Sequence, residues 1–408
     1  MKIKTRYNRF QWAIKALILW MIIQTGCTHD GNRQPYPELS ARADSVRQRY
    51  VPDKRDDVFE IAVVERDGCP VVKGVTSVAE AKTETLRLLR EANPAVVDSI
   101  RVLPDETVGE QVYGVINVSV ADARMGADYD AEMGTQWLLG APVQILQHAG
   151  WWRVKGAEGY VAWLMGSSFV RMDEETFDQW RNAKKIVFTD IYGFGYETPD
   201  ETGQHVADLV AGNLLKYESD AGRFYKTSYP DGRTAYVLKS QSKPFEEWLS
   251  SIRLTEESII RTALTLKGIP YVWGGTSTKG MDCSGFTKTV LMMHGIILRR
   301  DASQQVKTGI PIDLSDGYGN LRPGDLMFFG KKAQEGRKER IRHVGFYLGD
   351  NEFIHAIGYV RINSLDPQKA NYDEQNTREF VRASRIIGAV DSPGIQSVGH
   401  HPLYQSQP

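Results

Sequence analysis

Two stretches of the chain are loose copies of one another, and this duplication constrains the fold more than any other feature. The first runs Leu139-Gly140-Ala141-Pro142-Val143-Gln144-Ile145-Leu146, then Trp151-Trp152-Arg153-Val154, then Gly159-Tyr160-Val161. The second runs Val210-Ala211-Gly212-Asn213-Leu214-Leu215, then Phe224-Tyr225-Lys226, then Ala235-Tyr236-Val237. The offset drifts from 72 residues (Gly140 to Gly212) to 76 (Tyr160 to Tyr236), so matching runs are kept while loop lengths differ. Short apolar and aromatic runs split by glycine read as strands, and a repeated set of them predicts two small five- to six-stranded barrels, over 111–180 and 181–250. The 37 Gly, 18 Tyr, 14 Phe and 9 Trp suit turn-rich aromatic β structure better than helical bundles.

At 408 residues the chain has room for further units on either side of this pair. Lys2, Lys4, Arg6, Arg9 and Lys15 precede an apolar run, Ala16 to Ile23, that is well short of the ~20 residues a bilayer span needs. The run ends at Gln24-Thr25-Gly26-Cys27 and resembles a bacterial lipoprotein signal over 1–26, which implies lipidation of Cys27 and an exported, membrane-anchored protein on the periplasmic or cell-surface face. Residues 27–110 read as a tether and lead-in helix followed by a small α+β unit. Its parts are a strand near Val58–Val64, a turn at Asp67-Gly68, a partner strand at Val71–Val75, a helix over Ala79–Glu91 and a third strand over Val96–Leu103. No chemistry is visible in that unit, which is expected to be a spacer or packing support. The polar run Lys239 to Pro244 reads as a linker, and 391–408 as a tail. Lys+Arg at 50 against Asp+Glu at 51 argues against a nucleic-acid partner. Three cysteines are too few for a disulfide scaffold or a four-cysteine zinc site.

The chemistry lies in the last third, 251–390. Thr255-Glu256-Glu257 opens a helix that ends near Gly268, and a second helix follows Asp282-Cys283-Ser284-Gly285-Phe286. Cys283 therefore sits at a helix N-terminus, where the partial positive charge favours thiolate and predicts a lowered pKa. A thiolate nucleophile needs a base, and the base needs an orienting partner. His343-Val344-Gly345-Phe346-Tyr347-Leu348 and Glu352-Phe353-Ile354-His355-Ala356 read as a hairpin about a Gly349-Asp350 turn. That turn would place His343 opposite Ala356, with His343 and His355 nearly facing, at the ~5 Å Cβ spacing of cross-strand neighbours. Lys331 to Arg342 is a basic segment, read as a solvated loop.

The run Pro270-Tyr271-Val272-Trp273-Gly274-Gly275, the Asp282–Phe286 motif, Leu321 to Phe329, His343 to Tyr347 and His355-Ala356 together resemble the NlpC family of cell-wall cysteine peptidases over roughly 252–390. The duplicated units resemble bacterial SH3-type domains. The expected fold is thus multidomain α+β: a small N-terminal unit, two SH3-like barrels and a papain-like catalytic domain. The resemblance implies Cys283 as nucleophile, His343 as base, His355 as orienter and Tyr271 as an oxyanion donor, with no metal or organic cofactor. The order of units further resembles γ-D-glutamyl-L-diamino acid endopeptidases, which cut stem peptides carrying a free N-terminal L-Ala. By that likeness Asp301 would pair with the L-Ala ammonium and Arg300 with the D-Glu α-carboxylate, while Ser284, Glu132 and Tyr160 would wall the pocket. The substrates would be peptidoglycan-derived peptides. The rival readings are a broad murein endopeptidase on intact wall, an inactive wall-binding lipoprotein, and acyl transfer to another substrate. Oligomeric state and the role of Cys69 are open at this stage.

Overall fold

The structure is a computed structural model that describes residues 35–405. The apolar run 16–23 and Cys27, the expected lipidation site, lie outside the described residues. The N-terminal unit comprises α1 (Pro37–Tyr50), β1 (Phe59–Arg66), β2 (Cys69–Thr76), α2 (Ala79–Ala92) and β3 (Val97–Val102). Asp67 and Gly68 both take positive φ, the geometry of a two-residue hairpin turn, and set Arg66 opposite Cys69. The α2 crossover then lays β3 parallel to β2. Cys69 opens β2 as an exposed free thiol, and Cys283 is a second, buried free thiol. Val58, Val75 and Leu103 pack against Leu146 and Val161 of the following unit. At about 1.5–3 kcal/mol per buried aliphatic side chain, this contact docks the N-terminal unit.

The duplicated region forms two antiparallel sheets of seven strands each. The first contains β4 (Tyr113–Ile116), β5 (Val120–Arg124), β6 (Met133–Leu138), β7 (Pro142–Ala149), β8 (Trp151–Gly156), β9 (Val161–Leu164) and β10 (Phe169–Met172), in the order β10-β4-β7-β8-β9-β5-β6. After α3 (Glu174–Asn182) come β11 (Lys185–Phe188), β12 (Tyr192–Tyr196), β13 (His205–Val210), β14 (Leu214–Ala221), β15 (Phe224–Ser228), β16 (Thr234–Leu238) and β17 (Ser242–Pro244). Their order is β17-β11-β14-β15-β16-β12-β13, which is the first order strand for strand. A single 3-10 turn precedes the last strand of each copy, at Gly166–Ser168 and Lys239–Gln241.

Two expectations change here. Each copy has seven strands, not five or six, and its last strand is only four or three residues long. The segment Lys239 to Pro244 is not a linker: Ser242–Pro244 pairs with β11, and the buried Ser242 hydroxyl donates to the Leu238 carbonyl at 2.6 Å. Pro244, which lacks an N–H, stands at the end of this edge strand, where no ladder bond is lost. The copies also share material. Leu139, in the β6–β7 connection, is buried in the core of the second sheet, and its carbonyl accepts from Leu214 N at 2.9 Å.

After α4 (Phe245–Ser251), Thr255 caps α5 (Glu256–Thr265) through a reciprocal box with Ser258. The short strands β18 (Thr276–Ser277) and β19 (Gly280–Met281) lead into α6 (Cys283–Met292), then β20 (Ile296–Leu298), α7 (Ala302–Gln305) and β21 (Ile310–Pro311). The meander β22 (Leu326–Lys331), β23 (Arg340–Gly349), β24 (Glu352–Ile357) and β25 (Tyr359–Ser364) is followed by α8 (Glu374–Arg378), β26 (Phe380–Arg385) and β27 (Ile395–Ser397). Six strands form one sheet, β21-β26-β22-β23-β24-β25, while β27 pairs with β20. Leu326 and Phe328 face the core beneath α6, whereas Met327 and Phe329 face a second core around Phe353 and Phe380. The strand is covered on both faces, so it reads as an unbroken apolar run. The whole is a multidomain α+β chain dominated by sheets.

Candidate active site

The start of α6 is built around Asp282. Its Oδ1 accepts from Gly285 N at 2.7 Å as the helix cap, and its Oδ2 accepts from Gly274 N at 3.0 Å. The cap needs the helix to lie directly on the preceding loop: a Cβ on Gly285 would fall 1.9 Å from the Gly275 carbonyl oxygen. Cys283 is thereby fixed as the first helical residue, with its side chain at the junction of two clefts.

His343 lies on β23 and His355 on β24, and their rings meet with Nε2 of His343 2.7 Å from Nδ1 of His355. The hairpin register differs slightly from the sequence expectation. Asp350 and Asn351, both at positive φ, form the turn, and a bulge between Tyr347 and Gly349 pairs Gly345 with His355. Glycine at 345 makes room for the imidazole, since a Cβ there would stand 2.9 Å from that of His355. His355 Nε2 is 2.9 Å from Asn363 Oδ1 on β25, and Asn363 Nδ2 donates to the Asn371 carbonyl at 3.0 Å. That last bond turns the amide oxygen toward His355, so His355 donates from Nε2 and accepts at Nδ1. His343 must then donate from Nε2, which leaves its Nδ1 as the free lone pair. Asn363 was not identified from sequence: it lies on a third strand with no motif to mark it.

The electrostatics correct the expectation of a lowered thiol pKa. Burial, reinforced by the Asp282 carboxylate, pushes Cys283 up to about 12, while the backbone N–H groups of Val344 and Ser284 and the Arg300 cation act in the opposite direction. Burial, His355 and Arg342 hold His343 well below its ordinary value, and burial lowers His355 to about 4. Burial thus favours the neutral thiol and the neutral imidazole, and the helix-end dipole is outweighed by desolvation. Burial and neighbouring Cys283 push the Tyr271 phenol up, so it stays a hydrogen-bond donor beside the thiol.

One cleft, of about 370 Å³, joins Cys283, Ser284 and Tyr271 to Glu132, Tyr160 and Asp301. Glu132, just before β6, accepts from Trp273 Nε1 at 2.7 Å, which ties the first sheet to the unit that carries Cys283. Tyr160 belongs both to the buried core of that sheet and to the cleft wall. The same cleft is lined by Lys54 and Arg55 of the N-terminal unit. Arg55 Nη1 donates to Asp301 Oδ2 at 2.7 Å and to Ser303 Oγ at 3.0 Å. The N-terminal unit is therefore part of the site, which sequence reasoning missed because Lys54 and Arg55 lie in an irregular segment before β1.

Arg300 departs from its expected place. Its side chain is 1% exposed, it pairs with Asp282 through Nη2 at 2.6 Å, and its Nη1 donates to Ser284 Oγ at 2.9 Å. It is absent from the cleft wall and stands behind Asp282 and Ser284. In the basic segment, Arg340 and Arg342 reach the cleft rim while 332–339 is largely exposed.

Residues 268–382 match the NlpC/P60 family. The chain is 29% identical over 235 residues, 55% of its length, to a gamma-D-glutamyl-L-lysine dipeptidyl-peptidase of Bacillus cereus, of which it covers 67%. It is 31% identical over 152 residues, 36% of its length, to murein DD-endopeptidase MepS/murein LD-carboxypeptidase of Escherichia coli, of which it covers 75%. The solved structure of an NlpC/P60 family protein from Bacillus cereus shares the fold with a TM-score of 0.57 at 24% identity, covering 67% of this chain and 99% of its own.

Proposed function

We propose, from the premise that this chain belongs to the NlpC/P60 family of cysteine-type peptidases, that it hydrolyses the γ-D-glutamyl bond to a diamino acid in peptidoglycan stem peptides with a free N-terminal L-Ala. The observation that carries this reading is the position of Cys283 between two clefts, beside a base whose tautomer is set by the His343–His355–Asn363 relay.

The thiol proton passes to His343 Nδ1 as Cys283 Sγ bonds to the γ-glutamyl carbonyl carbon. The oxyanion that forms is met by the Cys283 backbone N–H and the Tyr271 hydroxyl. His343 then protonates the departing amine, the carbon–nitrogen bond breaks, and water activated by the same imidazole releases the L-Ala-γ-D-Glu dipeptide and restores the thiol. The Glu132 and Asp301 carboxylates in the acyl-side cleft suit a free ammonium, and the Tyr160 wall limits that cleft to a short chain. With Arg300 engaged behind Asp282, the D-Glu α-carboxylate is assigned to Ser284 and the cations Lys54 and Arg340. The two same-order sheets are assigned as SH3-type units, and Cys27 as a lipid anchor that a Cys27→Ala substitution would release into the soluble fraction.

The test incubates the protein with L-Ala-γ-D-Glu-meso-diaminopimelate and its N-acetylated twin, with Cys283→Ala alongside, and follows products by mass spectrometry. Cleavage of the free-amine peptide alone, lost in Cys283→Ala, is the expected result. Equal cleavage of both would sink the amine pocket and favour a broad murein endopeptidase.

A further inference from the structure

The second cleft at Cys283 carries charges that the acyl transfer does not use. Beside Cys283 and His343 its wall includes Arg342, Arg361, Asp373 and Glu374. Two of these are already engaged. Arg342 pairs with Glu379, and Asp373 caps α8 through Asn376 N at 2.9 Å. Arg361 is different. It stands on β25 directly opposite His355, and its side chain makes no ion pair or hydrogen bond among the described residues. Its Nε is buried with no acceptor. The Tyr359 ring, 5.8 Å from the guanidinium carbon, offers it an aromatic face and not a carboxylate. A half-buried guanidinium whose buried donor finds no acceptor in the protein suits an anion, since planar paired N–H groups fit a carboxylate. Glu374, exposed at the first position of α8, likewise has no ion pair among the described residues.

Because the 370 Å³ cleft takes the acyl half, this one takes the departing diamino acid. We infer that Arg361 binds a carboxylate of that residue and that Glu374 meets its side-chain ammonium. The inference rests on the substrate reading above. Two carboxylates could serve: the one on the main chain of a tripeptide, and the one at the side-chain end of a residue such as meso-diaminopimelate, which lysine lacks. A side chain ending in both an ammonium and a carboxylate matches both free charges of the cleft.

Arg361 also has a rival role, since its cation helps keep His355 neutral. Binding to a protein that cannot turn over separates the two. Cys283→Ala protein is titrated calorimetrically with four L-Ala-γ-D-Glu tripeptides. Their third residues are meso-diaminopimelate, its side-chain amide, its main-chain amide and L-lysine. Loss of the side-chain carboxylate, by amidation or in lysine, is expected to weaken binding about tenfold, the scale of one charge-assisted contact. Adding Arg361→Gln is expected to erase that difference, and Arg361→Lys to retain part of it. A loss confined to the main-chain amide, again erased by Arg361→Gln, would also support the carboxylate receptor and assign it the main-chain group. Equal affinities for all four, a preference that survives Arg361→Gln, or no binding of any peptide overturns the inference. Turnover by unsubstituted protein is scored separately: binding preference without cleavage sinks the proposed function alone, and cleavage without preference sinks this inference alone.

Discussion

Arg55 reaches across 246 positions of sequence to donate from Nη1 to Asp301 Oδ2 at 2.7 Å, so the N-terminal unit supplies the counter-ion of a carboxylate that lines the Cys283 cleft. The contact is braced on both sides. Asp53 holds the guanidinium through Nη2 at 2.6 Å, Val161 N donates to the Arg55 carbonyl at 2.7 Å, and Gln304 Nε2 donates to Asp56 at 2.7 Å. Arg55→Ala should raise KM for the free-amine tripeptide about tenfold with kcat little changed, the signature of lost ground-state binding. Steady-state kinetics checks it, and an unchanged KM would mean that the strap serves docking alone.

Asn363 sets the tautomers of both histidines. Asn363→Ala should therefore lower kcat about ten- to hundredfold, as expected for one buried hydrogen bond of about 1–3 kcal/mol at 1.4 kcal/mol per tenfold. Single-turnover kinetics with folded variant reads this directly, and a change confined to KM would count against the relay.

The pH dependence follows from burial. His343 titrates well below 6.5 and His355 at about 4, so the base stays unprotonated at mildly acid pH. The acid limb of kcat/KM should fall below pH 6.5, and a midpoint at or above that value would contradict the neutral resting pair. Stability moves the same way. The unfolded chain takes up protons on these histidines as pH drops below their ordinary value while the folded chain does not, so stability is lost as pH falls from about 6.5 toward 4. Urea denaturation at pH 7 and pH 5 measures the difference.

Lys288 on α6 pairs with Glu158 of the first sheet at 2.9 Å, with side-chain exposures of 16% and 3%. Burial pushes the Glu158 carboxyl up, but Lys288 and the Trp137 N–H outweigh it and hold the group below the usual carboxylate range. Lys288→Ala strands a buried charge and should cost about 3 kcal/mol. A Lys288→Met/Glu158→Gln pair should recover much of it. Thermal unfolding decides, and a drop no larger than that of a surface lysine would refute the coupling.

Much of the catalytic third was legible because its signals are local. Thr255 and Asp282 are helix caps, Cys283 follows its cap immediately, and His343 and His355 lie on strands joined by a two-residue turn. The one-step error in the turn arose because Asp350 and Asn351 both tolerate positive φ, which moved the turn off Gly349. The groups that stayed hidden act at long range. Arg55 finds Asp301, Asn363 finds His355 from a third strand, and Arg300 is claimed by an Asp282 carboxylate whose orientation depends on the helix it caps. Ser242–Pro244 escaped notice for another reason: a three-residue polar edge strand has no period to detect.

The seam at Leu139 makes the tandem indivisible. A side chain from the connection between two strands of one copy fills the core of the other, and Gly140 leaves no room for a larger neighbour, since a Cβ there would fall 2.4 Å from the Leu214 carbonyl oxygen. Replacing either copy with a foreign barrel would open a hole or drive in a wedge. A chimera that swaps this region must therefore carry both sheets together, from Tyr113 to Pro244, as one transplantable part.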